Sequence, residues 1–368
     1  MHHPPPPIQV RIDDLGVVST WINGKGPYHF ALDTGAGITV ITPEFARRAG
    51  LTGSGTTQAT GSGGTIGVKT LVLHDVRVGK ADVSDVDAAI IPLPLDFTYQ
   101  GDYGTIDGII GYSFLAHFAV TIALEKHAVT FWPPGTYRTP SGATSVRADL
   151  SDNTPVVVAQ ADGYSGPFKL DTGDDGDLTL TASFVAAHQF AKRYSRGVPM
   201  LFEGVGGLEH GMYVRMDRFM LGGITLPNQL TMLSLATRGT LGAGTLAGNV
   251  GDDILRRFIF TVDYPNKRVD FAPNADAIAE QPYRRTGLSP MRRSDGTFVV
   301  IAVVPGSPGG DAGVHVGDVL TAINGDPLAH LDRVQIQEAL QAPRVTYTLR
   351  SGGTERNVTL VMRDQLGI

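Results

Sequence analysis

The sequence predicts a mainly β protein in which two homologous lobes, related by a pseudo-two-fold axis, precede a small α+β module. Three observations predict this. Glycine is abundant, 46 of 368 residues, and sits in short runs between β-branched segments, as expected where many strands are joined by tight turns. A stretch of sequence is written twice at a nearly constant separation. After Asn274 the pattern changes to strand, turn, strand, helix and two strands, a module of the size that folds alone.

The repeat is read by setting Gly26 to Gly50, GPYHFALDTGAGITVITPEFARRAG, beside Gly166 to Gln189, GPFKLDTGDDGDLTLTASFVAAHQ. Each copy runs from an apolar strand into Asp-Thr-Gly, then into an alternating strand and a short helix. The helices are expected to start at Thr42-Pro43 and near Thr181-Ala182-Ser183, which carry N-terminal capping signals. Downstream, the segment from Gly111 aligns without gaps with that from Gly251, matching Leu115 to Leu255, Phe118 to Phe258, Thr121 to Thr261 and Phe131 to Phe271. The aspartates of the two turns are 138 residues apart and the two glycines 140 apart, so both pairings belong to one duplication. Between its two motifs each copy has a glycine-rich stretch, Gly61 to Gly67 and Gly204 to Gly207, flanked by strand-like alternation that predicts a hairpin. The lobes are expected over 8–136 and 145–273, joined by the polar linker YRTPSGATS, and the C-terminal module over 283–365.

Composition excludes several classes of function. A net charge of −6 without Lys/Arg runs argues against a nucleic-acid partner. No stretch of about 18 apolar residues encodes a membrane span. The absence of cysteine removes disulfides, thiolate zinc sites and a cysteine nucleophile. The ten histidines show no HExxH spacing, so no metal and no cofactor are expected. Val68 between Gly67 and Lys69 breaks a phosphate-loop reading, Gly242 to Gly248 misses the dinucleotide spacing, and Gly111 to Leu115 lacks the second glycine of a nucleophile elbow. The N-terminus, Met1-His2-His3 followed by Pro4 to Pro7, lacks the basic and apolar regions of a signal peptide. A periplasmic or secreted location is the expectation if a leader precedes it.

The chemistry is expected at Asp33 and Asp171. Two carboxylates brought together by a pseudo-axis cannot both ionise easily, so one keeps its proton and the other its charge. Such a pair can hold a water between a base and an acid. Gly35 and Gly173 let each backbone approach its symmetry mate without a Cβ in the way, and the hydroxyls of Thr34 and Thr172 can bond across the axis.

These motifs, NGKGPYHFALDTGAGITVIT with the later DGIIG, resemble the retropepsin-like aspartic peptidases, over roughly Ile8 to Pro273. The resemblance implies two closed, barrel-like lobes fused in one chain, with Asp33 and Asp171 as the catalytic dyad. It also implies Ile109-Ile110-Gly111 and Val250-Gly251 packed under the turns. The glycine-rich hairpins would be flaps over an extended peptide, with Ala36, Gly63, Gly64, Asp174, Asp175, Gly206 and Gly207 around the substrate. The second copy has Asp174 in place of Ala36 and Asn249 in place of Ile109. An added carboxylate there is expected to raise the dyad's pKa or repel a bound carboxylate, making the second lobe the drifted half. The segment VVPGSPGGDAGVHVGDVLTAINGDPL resembles a bacterial PDZ domain, which implies a groove for a peptide strand and a carboxylate loop at Gly287, Leu288 and Ser289, next to Pro290, which lacks an N–H. The expected function is an aspartic endopeptidase acting on a peptide or protein substrate, with the PDZ domain recruiting substrate or partner. The alternative is a catalytically weak or inactive peptide-binding protein on the same scaffold.

Overall fold

The computed structural model describes residues 5–366 apart from 14–15, 63, 94–105, 205–206, 243, 276, 280–282, 284, 294–296 and 332. Strand β1 (Ile8–Arg11) leads into the hairpin β2 (Val17–Ile22) and β3 (Lys25–Leu32), then β4 (Thr39–Ile41) and helix α1 (Pro43–Ala49). A long hairpin follows, β5 (Gly55–Gly61) and β6 (Gly64–Val78), then β7 (Ala81–Ile90), β8 (Gly108–Ile110), helix α2 (Tyr112–Leu115), β9 (Ala119–Ala123) and β10 (Ala128–Trp132). The second lobe repeats this order with β11 (Thr144–Arg147), β12 (Val156–Ala161), β13 (Tyr164–Leu170), β14 (Leu178–Leu180) and helices α3 (Ala182–Ala187) and α4 (Phe190–Arg193). Its hairpin is β15 (Val198–Gly204) and β16 (Gly207–Leu221), followed by β17 (Ile224–Ser234), β18 (Gly248–Val250), helix α5 (Asp252–Leu255), β19 (Phe258–Asp263) and β20 (Arg268–Pro273).

The first lobe's sheet runs β2-β3-β8-β4-β7-β6-β5 and the second's β12-β13-β18-β14-β17-β16-β15. Extra pairings β2–β6 and β12–β16 close six strands of each into a barrel, leaving β5 and β15 as outer hairpin strands. Closure removes the unpaired edges that an open sheet would expose. Both copies keep one register: Leu32 pairs with Ile110 in parallel and Leu170 with Val250. The helix starts fall where capping requires, with the Thr42 hydroxyl accepting the Phe45 N–H and Thr181 that of Phe184.

A third sheet, β1-β10-β9-β19-β20-β11, takes strands from both lobes. At its centre Thr121 stands opposite Thr261, their hydroxyls 2.7 Å apart, which marks the pseudo-axis. The equivalent phenylalanines Phe30 and Phe168, and Phe131 and Phe271, are fully buried in one core that runs through both lobes. At about 1.5–3 kcal/mol for each buried side chain, this shared core holds the two halves as one unit and gives the dyad a fixed base.

The C-terminal module comprises β21 (Leu288–Arg292), β22 (Phe298–Val303), helix α6 (Pro308–Asp311), β23 (Val319–Ile323), β24 (Asp326–Pro327), helix α7 (Arg333–Gln341), β25 (Arg344–Ser351) and β26 (Thr354–Val361). Its sheet runs β21-β22-β23-β25-β26 around a separate core that includes Val300, Leu320, Tyr347 and Leu349. The module is seated on the second lobe, where the Tyr283 and Tyr213 rings lie 5.0 Å apart and Arg215 pairs with Asp364 at 2.9 Å. Among the described residues no helix is long and apolar enough to cross a membrane.

Candidate active site

Strands β3 and β13 end in the core residues Leu32 and Leu170, and the next residue leaves the ladder. The backbone N–H of Asp33 donates to Ile110 O at 3.1 Å and that of Asp171 to Val250 O at 3.0 Å, so the hydrophobic-Gly segments of β8 and β18 support the two turns. Across the axis Thr34 N–H donates to Thr172 Oγ1 and Thr172 N–H to Thr34 Oγ1, both at 3.1 Å. The hydroxyls in turn donate to Leu170 O and Leu32 O, both at 2.8 Å. All four bonds are buried, where exchange with water does not weaken them.

This lock brings Asp33 and Asp171 together. Each carboxylate accepts the N–H of its own turn's glycine, from Gly35 at 2.7 Å and from Gly173 at 3.1 Å. Each also lies over the partner turn: a Cβ on Gly35 would overlap the Asp171 carboxylate, and one on Gly173 that of Asp33. No residue but glycine fits there. Both aspartates are only 9% exposed. Burial, then the neighbouring Asp171 charge, pushes the Asp33 carboxyl up to about 8. Asp171 goes the other way. Burial opposes its ionisation, but the charge and hydrogen bond of Lys169, with further bonds from Asp33 and Asn249, hold it below the ordinary carboxylate range.

Lys169 is the residue that sequence reasoning missed. Its Nζ lies 2.7 Å from Asp171 Oδ2, with 17% of its side chain exposed. A signal was available. Strand side chains alternate between faces, so the residue two before each aspartate shares the aspartate's side, and there the first copy has Ala31 and the second Lys169. The two departures seen in the sequence belong to the same layer. Asn249 Nδ2 donates to Asp174 Oδ2 at 2.6 Å, and Gly176 N–H donates to Asp174 Oδ1 at 2.9 Å. The Asp174 carboxylate, expected to raise the dyad's pKa or repel a bound carboxylate, is thus hydrogen-bonded on both oxygens, and Lys169 lies close enough to favour its charge. Burial and then Asp171 raise Asp174 itself to about 6. Two more acids lie nearby. Asp177 has neither carboxylate oxygen hydrogen-bonded, and burial, then Asp253, raises it to about 7. Asp252, at the start of α5, is raised well above the usual range, mainly by burial.

The two hairpins flank this centre. Gly61 O at the tip of the first accepts the Thr240 N–H of the opposite lobe at 3.0 Å, so this hairpin bridges to the second lobe. Ala36 packs with Ile66 and Val68 of the same hairpin. Arg238, beside Thr240, pairs with Glu209 of the second hairpin at 2.7 Å. Gly64 and Gly207 each open the returning strand of their hairpin, and Asp175 is exposed on the second turn. Gly63 and Gly206 lie outside the described residues. In the C-terminal module Gly287 adopts φ +72°, and β21 is the sheet's edge strand. The Leu288 N–H already donates to Thr286 Oγ1 at 3.2 Å, and Ser289 pairs with Ala302. Among the described residues no cluster of His, Asp or Glu has the arrangement of a metal site.

Comparison with known proteins agrees with this architecture. Residues 18–114 match the aspartyl protease family and residues 299–350 the PDZ domain family. The chain therefore carries an aspartyl protease domain in its N-terminal part and a PDZ domain at its C-terminus. Among solved structures, the HtrA3 PDZ domain bound to a phage-derived ligand is 22% identical, over 23% of this chain and 88% of its own, at a TM-score of 0.21. Comparison with curated proteins gives no match.

Proposed function

We propose that the chain is an aspartic endopeptidase that hydrolyses peptide bonds with a water activated between Asp33 and Asp171, the PDZ domain recruiting substrate or partner. The observation that carries this reading is the pair of buried carboxyls, each set over the glycine of the other's turn by the threonine lock across the pseudo-axis. The charged carboxylate takes a proton from the water as its oxygen attacks the scissile carbon, and the protonated one gives its proton to the carbonyl oxygen. The resulting gem-diol collapses as the amine leaves with the proton held by the base. The hairpins would close over an extended peptide and exclude water from this exchange. The edge strand β21 offers the place where a peptide would add to the PDZ sheet.

Asp33→Asn and Asp171→Asn are expected to lower cleavage of a peptide library on the order of a thousandfold while the circular dichroism spectrum is retained. Equal rates for both variants and the parent sink the reading. A second reading, a peptide-binding scaffold that cuts nothing, has one feature in its favour: Lys169 occupies an oxygen of Asp171. A statine-type transition-state mimic separates the two, since a working dyad binds it far more tightly than a substrate peptide.

A further inference from the structure

The two turns share a backbone and a threonine lock, so symmetry alone gives neither aspartate a distinct role. The surroundings do. On the first lobe's side the position two before the aspartate is Ala31, packed with Val17 and Ile106. On the second it is Lys169, with its ammonium on Asp171 Oδ2. We propose that Lys169 is a positioning residue of the dyad: its ammonium fixes the negative charge on Asp171, which makes Asp171 the base and Asp33 the acid. This rests on the reading of Asp33 and Asp171 as a working dyad.

The charge balance around the pair supports the assignment. Asp171 is faced by Asp33 from the first turn, by Asp174 from its own turn, by Asn249 from β18 and by Asp252 from α5, whose own charge is partly met by Arg256. Tyr264, after β19, comes close enough to feel the Asp33 charge, and its ring meets that of Tyr112 at 5.8 Å. Lys169 is the one cation in this set that touches a dyad carboxylate. An ammonium in contact with one carboxylate and farther from the other lowers the first more than the second, because the interaction falls with distance in a weakly screened site. Removal of Lys169 therefore has a directional effect. Asp171 comes to hold its proton at higher pH, and the acid limb of the activity profile moves toward neutrality.

The test uses the full chain with carbon-13 label in the aspartate carboxyls, followed across about pH 3 to 9. Asp33→Asn and Asp171→Asn assign the two resonances. Lys169→Met removes the charge at similar length, Lys169→Arg keeps it, and the triple variant Lys169→Ala, Asp174→Ala, Asn249→Ile copies the first lobe's own packing should the single change fail to fold. In the Met and triple variants the Asp171 titration is expected to rise by roughly one to two pH units, with the acid limb of kcat/KM following it, and Lys169→Arg restores the parent curve. An Asp171 titration unchanged in both charge-free variants overturns the proposal, as does a displacement in Lys169→Arg equal to that in Lys169→Met. The carboxyl signals do not depend on turnover. A parent that cleaves nothing but shows the shift keeps this charge assignment and defeats the hydrolase reading. Cleavage without the shift does the reverse.

Discussion

The layers beneath the two Asp-Thr-Gly turns differ in kind. Under Asp33 the first lobe places Ala31, Ala36, Thr39, Ile109, Tyr112 and Ser113. The equivalent positions around Asp171 are Lys169, Asp174, Asp177, Asn249, Asp252 and Asp253. In the first lobe the polar members satisfy one another, with Thr39 N–H donating to Ser113 Oγ at 2.9 Å and Ser113 donating to Thr39 Oγ1 at 3.0 Å. In the second, an ion pair, an amide–carboxylate bond and two incompletely bonded acids replace them. The backbone is duplicated while the electrostatics are not. A turn held by four buried bonds and two obligatory glycines tolerates a changed underlayer, because its geometry does not depend on that layer's charge.

The largest effect expected from this contrast concerns stability. Asp171→Asn leaves the Lys169 ammonium without its contact partner and is expected to cost about 3 kcal/mol. Asp33→Asn replaces a carboxyl that already holds its proton near pH 6 and should change stability by less than about 1 kcal/mol. Urea unfolding of the two variants measures this, and equal losses would break the contrast.

Next comes pH. Asp33, Asp174, Asp177 and Asp252 all hold protons more tightly in the folded protein than the unfolded value of 3.8. Their contribution is fully present below about pH 4 and is lost as pH rises through about 6, 7 and 8. Asp171 and Asp318 act oppositely, contributing above the unfolded value and losing it in acid. The four outweigh the two, so Tm at pH 5 should exceed that at pH 8 by about 5 °C. A flat or rising Tm across that range contradicts the charged-underlayer account.

The smallest effect isolates one residue. Asp177→Asn removes a charge that has no hydrogen bond in the folded state and is expected to stabilise by about 1 kcal/mol at pH 8 and by little at pH 5. Thr39→Val, at the equivalent first-lobe position, should destabilise at both pH values, because it breaks bonds to Ser113 and Gly111.

Much of the fold was legible in advance for a local reason. The duplicated strings carry their own turn and capping chemistry, so Thr42 and Thr181 start helices where expected, and the hairpins form at the glycine-rich stretches. The site was less legible. Asp174 and Asn249 read as separate departures because they lie 75 residues apart in the chain, and only the fold sets them in one hydrogen bond. Lys169 was visible in principle, two residues before Asp171, but nothing in its immediate neighbourhood distinguishes it from an ordinary strand lysine. The shared sheet was also hidden, since no local pattern specifies which lobe a strand edge will meet.

The sequence by itself determined the repeat, the strand-rich lobes, the two candidate aspartates and the separate C-terminal module, since each follows from residue types at short spacing. The tertiary structure decided which groups surround those aspartates. Whether a buried carboxyl is charged depends on ions within a few ångströms, and here these come from a strand, a turn and a helix start brought together only by closure of the second barrel.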